Sequence, residues 1–396
     1  MPLGEETLHF IRQHQDDDVR RLALLKAPAG VVMSEALTQI AGRQAARSKL
    51  PLWHDTEGIL YPPHLNMEQC SSEETARYKT DMAQRLGGAH DTLVDLTGGF
   101  GVDCTFLAQA FRQATYVERD EALCRVAAHN FGLLAPQVAV RNEEAGHFLH
   151  GLRDGSVDLI FLDPARRSRH GSKVAALTDC EPNVTELLPL LRRKARWLLL
   201  KLSPMLDVAT ALQALPTAEE VHLVSVGGEC KELLVLAGQT ECEADDVPVC
   251  CVNLPGQLFR FTRREEAQMP GVYAHALGTY LYEPNASVMK GGAFRRVAHI
   301  YKVEQLHPNS HLYTSEERVD GFPGRRFRIT GSCGWGKQEL KALLGDLKQA
   351  NIATRNFPAT VGDLRRRLKL GDGGDTYLFA TTLADGRHVL IKTQKT

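Results

Sequence analysis

The sequence predicts an α/β protein built on a mostly parallel sheet, and three observations predict it. Short apolar runs recur between Leu93 and Ala237 with helical stretches between most of them. The first run is followed at once by the turn Thr97-Gly98-Gly99-Phe100-Gly101, and then by a helical pattern. The last two runs are joined by Gly227-Gly228-Glu229-Cys230-Lys231, a hairpin signal. Alternating strands and helices place helices on both faces of a parallel sheet, and a closing hairpin supplies one antiparallel strand.

The elements follow in order. Residues 4 to about 85 read as helices over Glu6–His14, Val19–Lys26 and Ser34–Arg47, from apolar spacings of three and four. Pro28-Ala29-Gly30, Leu50-Pro51-Leu52 and Tyr61-Pro62-Pro63 punctuate them. Ser71 or Ser72, followed by Glu74, starts a further helix that ends near Leu86. Its polar face, Ser71, Thr75 and Lys79, either packs or leans over a ligand. Strands are expected at Leu93–Leu96, Ala114–Val117, Val138–Arg141, Val157–Leu162, Trp197–Leu202, Glu220–Val226 and Glu232–Ala237. Asp245–Gln257 reads as a passage out of the sheet. Thr279–Glu317 reads as a small α+β unit of ferredoxin-like kind, and the chain from Gly324 as a strand, two helices and a final hairpin.

At 396 residues the chain exceeds one ordinary core. The expected division is a helical region at 1–86, the sheet domain at 87–240, and two small domains at 241–323 and 324–396. Hydrophobic residues at 43% and charged ones at 24% are those of a soluble globular protein. No apolar run reaches the ~18 residues of a membrane span, and the polar, acidic start is unlike a secretory signal. Nine cysteines without a C-x-x-C pair point to reduced thiols in the cytoplasm and to no metal site.

Polar groups gather at the carboxyl ends of three predicted strands. Asp95 and the glycine turn end the first. Glu118 ends the second, about 20 residues past the turn, where an acid holds a ribose in nucleotide folds. Asp163-Pro164-Ala165-Arg166 ends the fourth. The glycines permit close backbone approach to a ligand, but their spacing is not the G-x-G-x-x-G of a pyrophosphate site.

This arrangement resembles the class I S-adenosylmethionine-dependent methyltransferases, a Rossmann-like fold with a seven-stranded sheet. The resemblance implies that Asp95, Thr97, Gly98, Gly99, Phe100 and Gly101 wrap the methionine part of the cofactor. It implies that Glu118, beside Arg119, holds the ribose, and that Glu144 and Ala145 lie near the adenine. Asp163-Pro164-Ala165-Arg166 is similar to the family's fourth motif. Asp163 would border the cofactor and orient or deprotonate the nucleophile, while Arg166 and Arg167 grip the substrate. The usual aromatic of that motif is replaced by Arg166, a residue suited to phosphate or base stacking. Lys79 is a further candidate for the cofactor. The cysteines Cys180 and Cys230 stand in no recognisable thiolate setting, so a cysteine nucleophile is not expected.

The chain is also similar, in its last 73 residues, to the THUMP-like domain of a bacterial methyltransferase family. Thr354-Arg355-Asn356-Phe357-Pro358, Leu364-Arg365-Arg366-Arg367-Leu368-Lys369 and Gly373-Gly374-Asp375-Thr376-Tyr377-Leu378-Phe379 carry that likeness. It implies RNA, of the tRNA or rRNA class, as partner, with Arg365, Arg366 and Arg367 against it. Charge agrees: Gly321–Thr396 holds 14 Lys/Arg against 6 Asp/Glu, a net of +8, while the rest of the chain carries −9. Two other readings stand beside it. One is a methyltransferase of a small molecule or protein, the other a non-catalytic cofactor-binding assembly factor.

Overall fold

The computed structural model describes residues 3–166 and 177–396. The chain forms two compact units, Met1–Glu219 with Leu233–Cys242, and Glu220–Glu232 with Glu243–Thr396.

The first unit opens with six helices: α1 (Glu5–His14), α2 (Val19–Leu22), α3 (Met33–Lys49), α4 (Pro51–Asp55), α5 (His64–Gln69) and α6 (Glu73–Gln84). Helix α2 stops at Leu22 instead of running to Lys26, and Leu24 beyond it joins no apolar face, being 87% exposed. Ser72 is the cap of α6, accepting the Thr75 N–H at 3.3 Å. Trp53, Tyr61, Met67 and Ala76 from this region share one buried cluster with Phe100, Val102 and Phe106. The helices are thus anchored on the segment that follows the glycine turn.

The central sheet starts with β1 (Thr92–Asp95), β2 (Gln113–Glu118), β3 (Val138–Asn142), β4 (Val157–Leu162) and β5 (Ala195–Leu202). Between them lie α7 (Val102–Leu107), α8 (Glu121–Leu134), α9 (Ala145–Gly151) and α10 (Val184–Lys194), and α11 (Val208–Ala214) follows β5. β1 runs parallel to β2 and β4, β2 to β3, and β4 to β5. β6 (Ala218–Val226) and β7 (Glu229–Ala237) make the expected hairpin, and β7 lies antiparallel to β5.

The sheet has nine strands rather than seven, in the order β9-β8-β6-β7-β5-β4-β1-β2-β3. The extra pair is β8 (Pro248–Asn253) and β9 (Gln257–Thr262), so the stretch expected as a passage out of the sheet is largely strand. The prolines mislead here: Pro248 is the first residue of its strand and Pro255 lies in the turn between the two, both positions that cost no ladder bond.

The second unit also holds a seven-stranded sheet. Its strands are β10 (Tyr280–Pro284), β11 (Glu304–Gln305), β12 (Tyr313–Ser315), β13 (Gly324–Cys333), β14 (Asn351–Arg355), β15 (Thr376–Thr382) and β16 (His388–Lys395). They are ordered β11-β12-β10-β13-β16-β15-β14. Helices α12 (Arg263–Gln268), α13 (Ala286–Gly291), α14 (Phe294–Tyr301), α15 (Lys337–Leu344) and α16 (Val361–Leu368) accompany it. β15 and β16 pair as the final hairpin, with Thr381 opposite Val389. β10 pairs with β13, Leu281 opposite Phe327, so the segments before and after residue 324 share one sheet.

Among the described residues no helix is long and apolar enough to cross a membrane. The indole of Trp53, 1% exposed, lies 5.6 Å from the Phe106 ring. Trp53→Ala opens a cavity there and should cost about 3–5 kcal/mol. A chemical-denaturation midpoint followed by circular dichroism checks it.

Candidate active site

β1 is a short apolar strand whose last residue, Asp95, is buried at 1% exposure. Its Oδ1 accepts the Thr97 N–H at 3.0 Å, which starts the turn. Burial pushes the Asp95 carboxyl well above its ordinary range. Gly98 packs so closely on the β2 residue Tyr116 that an added Cβ would lie 2.1 Å from the ring. Gly99 and Gly101 have φ of +52° and +82°, the left-handed region that glycine tolerates. A Cβ at Gly99 would meet only the Thr97 carbonyl, at 3.9 Å, so the outer side of the turn is open. Phe100 faces the other way, into the cluster with Trp53 and Tyr61.

β2 grips this turn from the side. The Tyr116 hydroxyl donates to the Gly99 carbonyl at 2.6 Å, and the Glu118 Oε2 accepts the Gly99 N–H at 3.0 Å. Glu118 Oε1 accepts the Asp120 N–H at 2.9 Å. The half-buried carboxylate is therefore fixed by two backbone donors beside the open turn. Two neighbours already have partners. Arg119 forms an ion pair with Glu181. Glu144 caps α9 by accepting the His147 N–H at 2.9 Å, with Ala145 buried next to it.

Asp163 leaves the end of β4 next to the same turn. Its N–H donates to the Thr97 Oγ1 at 2.6 Å, which ties the first and fourth motifs together. Its Oδ2 lies 2.5 Å from the Lys201 ammonium at the end of β5. Lys201 reaches Asp103 of α7 at 4.0 Å, and Asp103 forms an ion pair with Lys79 of α6 at 3.1 Å. Ser71 donates to Asp103 Oδ2 at 2.7 Å and accepts from Lys79 at 3.2 Å. Lys79, considered for the cofactor, is instead fully buried at 0% in this network. Burial works to raise the Asp103 carboxyl, but the Lys79 and Lys201 ammoniums outweigh it and hold it below its usual range.

Asp103 and Lys201 carry this network and were not singled out from the sequence. The signal for Lys201 was its position as the one charge among Trp197-Leu198-Leu199-Leu200-Lys201-Leu202. Asp103 gave no signal of its own. Arg167 lies outside the described residues. The backbone of Ala165–Arg166 pairs antiparallel with Cys180–Glu181. In the second unit, Arg365 pairs with Asp372, Arg366 lies 2.5 Å from Asp363, and the Arg367 guanidinium sits 5.2 Å from the centre of the Trp335 ring.

Comparison with known proteins places this geometry. A crystal structure of a Porphyromonas gingivalis W83 protein assigned as a methyltransferase is 35% identical over 100% of both chains, with a TM-score of 0.87. The chain belongs to that family, class I methyltransferases that end in a THUMP-like domain. Within the chain, a ferredoxin-like domain family matches residues 280–323 and a THUMP domain-like family matches residues 324–395. Partial likenesses extend further. A Pyrococcus horikoshii protein assigned as an RNA methyltransferase is 16% identical over 39% of this chain and 72% of its own, at a TM-score of 0.29. An rRNA methylase from Streptococcus thermophilus is 11% identical over 41% and 95%, at 0.31. Likeness at that level carries no argument. None of the curated proteins matches.

For this family member the buried network makes a sharp prediction. Lys79→Met leaves Asp103 with one ammonium fewer inside the protein and should cost about 3–5 kcal/mol at neutral pH. In the unaltered chain the depressed Asp103 carboxyl contributes stability above the ordinary carboxylate range, lost as the pH falls through the lower native value. Without Lys79 burial dominates and the native value rises, so the native state binds the proton more readily than the unfolded chain. The deficit of the variant should therefore shrink between pH 7 and pH 5, read from urea midpoints at the two values.

Proposed function

We propose that this chain transfers a methyl group from S-adenosylmethionine to a base of structured RNA, of the tRNA or rRNA class, in the cytoplasm. The observation that carries the reading is the convergence of the open glycine turn, the fixed Glu118 carboxylate and Asp163 at one end of β1, β2 and β4, in a chain of a methyltransferase family. The residues present suit the cofactor. The open side of Gly99 admits a group that any side chain would displace, and Glu118 offers oxygens beside it for a pair of ribose hydroxyls. Gly98, Gly101 and Thr97 shape the same cradle, with Asp95 bracing it from below and Glu144 and Ala145 toward the adenine.

When bound, S-adenosylmethionine supplies an electrophilic methyl group on a sulfonium. The chain's part is to hold the accepting atom in line with it and to exclude water. Asp163 positions the accepting nitrogen through Oδ1 and takes its proton where one must leave. Lys201 fixes Oδ2, so the carboxylate cannot rotate away. Arg166 and Arg167 hold the RNA near the reacting base. The THUMP domain-like match supports RNA as the partner, as does the basic surplus of the last 76 residues.

Incubation with methyl-labelled cofactor and total RNA, followed by nucleoside mass spectrometry, tests the reading. A labelled nucleoside is expected, and Asp163→Ala should abolish it while cofactor binding persists. Unchanged turnover in that variant removes Asp163 from the chemistry. Label appearing in protein or small molecules, and in no RNA from several sources, overturns the choice of substrate.

Docking is tested separately. Arg366→Ala with Arg367→Ala should weaken binding to bulk tRNA similarly across sequences. The slope of log affinity against log salt should fall by ~0.7–0.9 for each phosphate the protein no longer neutralises. Fluorescence titrations at a series of salt concentrations measure it.

A further inference from the structure

In the second unit, β6 and β8 run parallel with His222 opposite Cys250, so both side chains leave the same face side by side. Glu220 lies two residues before His222 and shares that face. The opposite face is apolar: a Cβ added at Gly291 of α13 would lie 2.8 Å from Cys251 Sγ and 3.2 Å from Leu223. On the first face, the donor atoms of Glu220, His222 and Cys250 all lie within 4.8 Å of one another. His222 and Cys250 are buried at 2% and 4% exposure.

Three observations on this cluster point to a cation. The His222 Nε2 and Glu220 Oε2 atoms are 3.1 Å apart. Bonds of ~2.0–2.2 Å from zinc to nitrogen and oxygen give a tetrahedral edge of about 3.3–3.6 Å, so these two atoms need to part by only a few tenths of an ångström to span one. The other carboxylate oxygen, Oε1, accepts from Arg260 Nη2 at 3.1 Å. A donor on the distal oxygen that turns the other toward a centre is the usual outer support of a metal ligand. Finally, thiolate and carboxylate together would offset a divalent charge at the buried centre, while the Arg260 guanidinium, 56% exposed, keeps its own charge in solvent.

We propose that Glu220, His222 and Cys250 form a zinc site. A sulfur, nitrogen and oxygen set suits zinc and its borderline neighbours, whereas magnesium and calcium require oxygen ligands. Binding deprotonates Cys250, the proton passing to solvent as the zinc–sulfur bond forms. The contact between His222 and Glu220 gives way to a bond from each to the metal, and Arg260 stays on Oε1. A fourth position is left for water. The site crosses from β6 to β8 and clamps two strands that are 28 residues apart between His222 and Cys250.

The test is independent of methyl transfer. The full chain, stripped by a chelator, is titrated with Co2+ and then with Zn2+. The expected result is one equivalent of Co2+ with thiolate-to-cobalt charge-transfer absorption, displaced by Zn2+, and a melting temperature raised by Zn2+. Cys250→Ser should remove the thiolate band, and Arg260→Ala should weaken zinc binding about tenfold while the fold is kept. A stripped chain with native circular dichroism that binds neither ion overturns the proposal. So does a thiolate band that persists unchanged in Cys250→Ser, which would place the ion at another cysteine. If Cys250→Ser fails to fold, Glu220→Gln decides: zinc affinity equal to that of the unaltered chain overturns the site.

Discussion

The alternation of charge Lys79, Asp103, Lys201, Asp163 is the constraint on which the candidate site rests. It joins α6, α7, the end of β5 and the end of β4. An isolated charge at Lys79 or Asp103 would cost several kcal/mol of desolvation, so each must find its opposite inside the protein. The observed pairings bring α6 down onto α7 and hold Asp163, just after β4, against the end of β5. The helices before the sheet therefore form part of the site's rear wall. They supply the cation that lets an acid sit in the first turn after the glycines.

The glycine turn is the second fixed point, and it is held as tightly as the charges. β2 takes both polar groups of Gly99, the carbonyl through Tyr116 and the N–H through Glu118. Asp95 takes the Thr97 N–H from below, and Thr97 in turn takes the Asp163 N–H. A loop held by so few free backbone groups needs little reordering when a ligand arrives, and a low ordering cost is where preorganised sites gain their affinity. The same bonds explain why Glu118 faces the turn: both its oxygens are oriented before any hydroxyl reaches them.

Much of this was legible. The strands from β1 to β7 follow apolar runs that local spacing marks out, and Asp95, Glu118 and Asp163 each end one of them. What was not legible depends on contacts between residues distant in sequence. The polar face of Ser71, Thr75 and Lys79 could pack or lean over a ligand on spacing alone, and packing against α7, which buries all three, is decided by residues distant in sequence. The ion pair of Arg119 with Glu181 and the cap that Glu144 gives its own helix likewise carry no mark in the sequence. β8 and β9 were hidden by prolines whose harmlessness depends on where each falls in the strand. Glu220, His222 and Cys250 have no motif spacing, since only sheet register sets two of them side by side.

The basic surplus of the last segment also changes meaning once its partners are visible. Glu283, 3% exposed, holds Arg325 at 2.7 Å through one oxygen and Arg355 at 2.7 Å through the other. Arg365 and Arg366 each have a carboxylate of their own. Asp363 and Asp372 already stand among the six acids behind the +8, so of these carboxylates Glu283 alone lowers that surplus, to +7. Yet a guanidinium has five donors, and one carboxylate engages only some of them. Arg325 and Arg355 are held in place at 46% and 38% side-chain exposure. Fixed arginines lose less freedom on meeting a phosphate than mobile lysines do. The pairing with Glu283 that lowers the surplus also fixes the direction of these two guanidiniums.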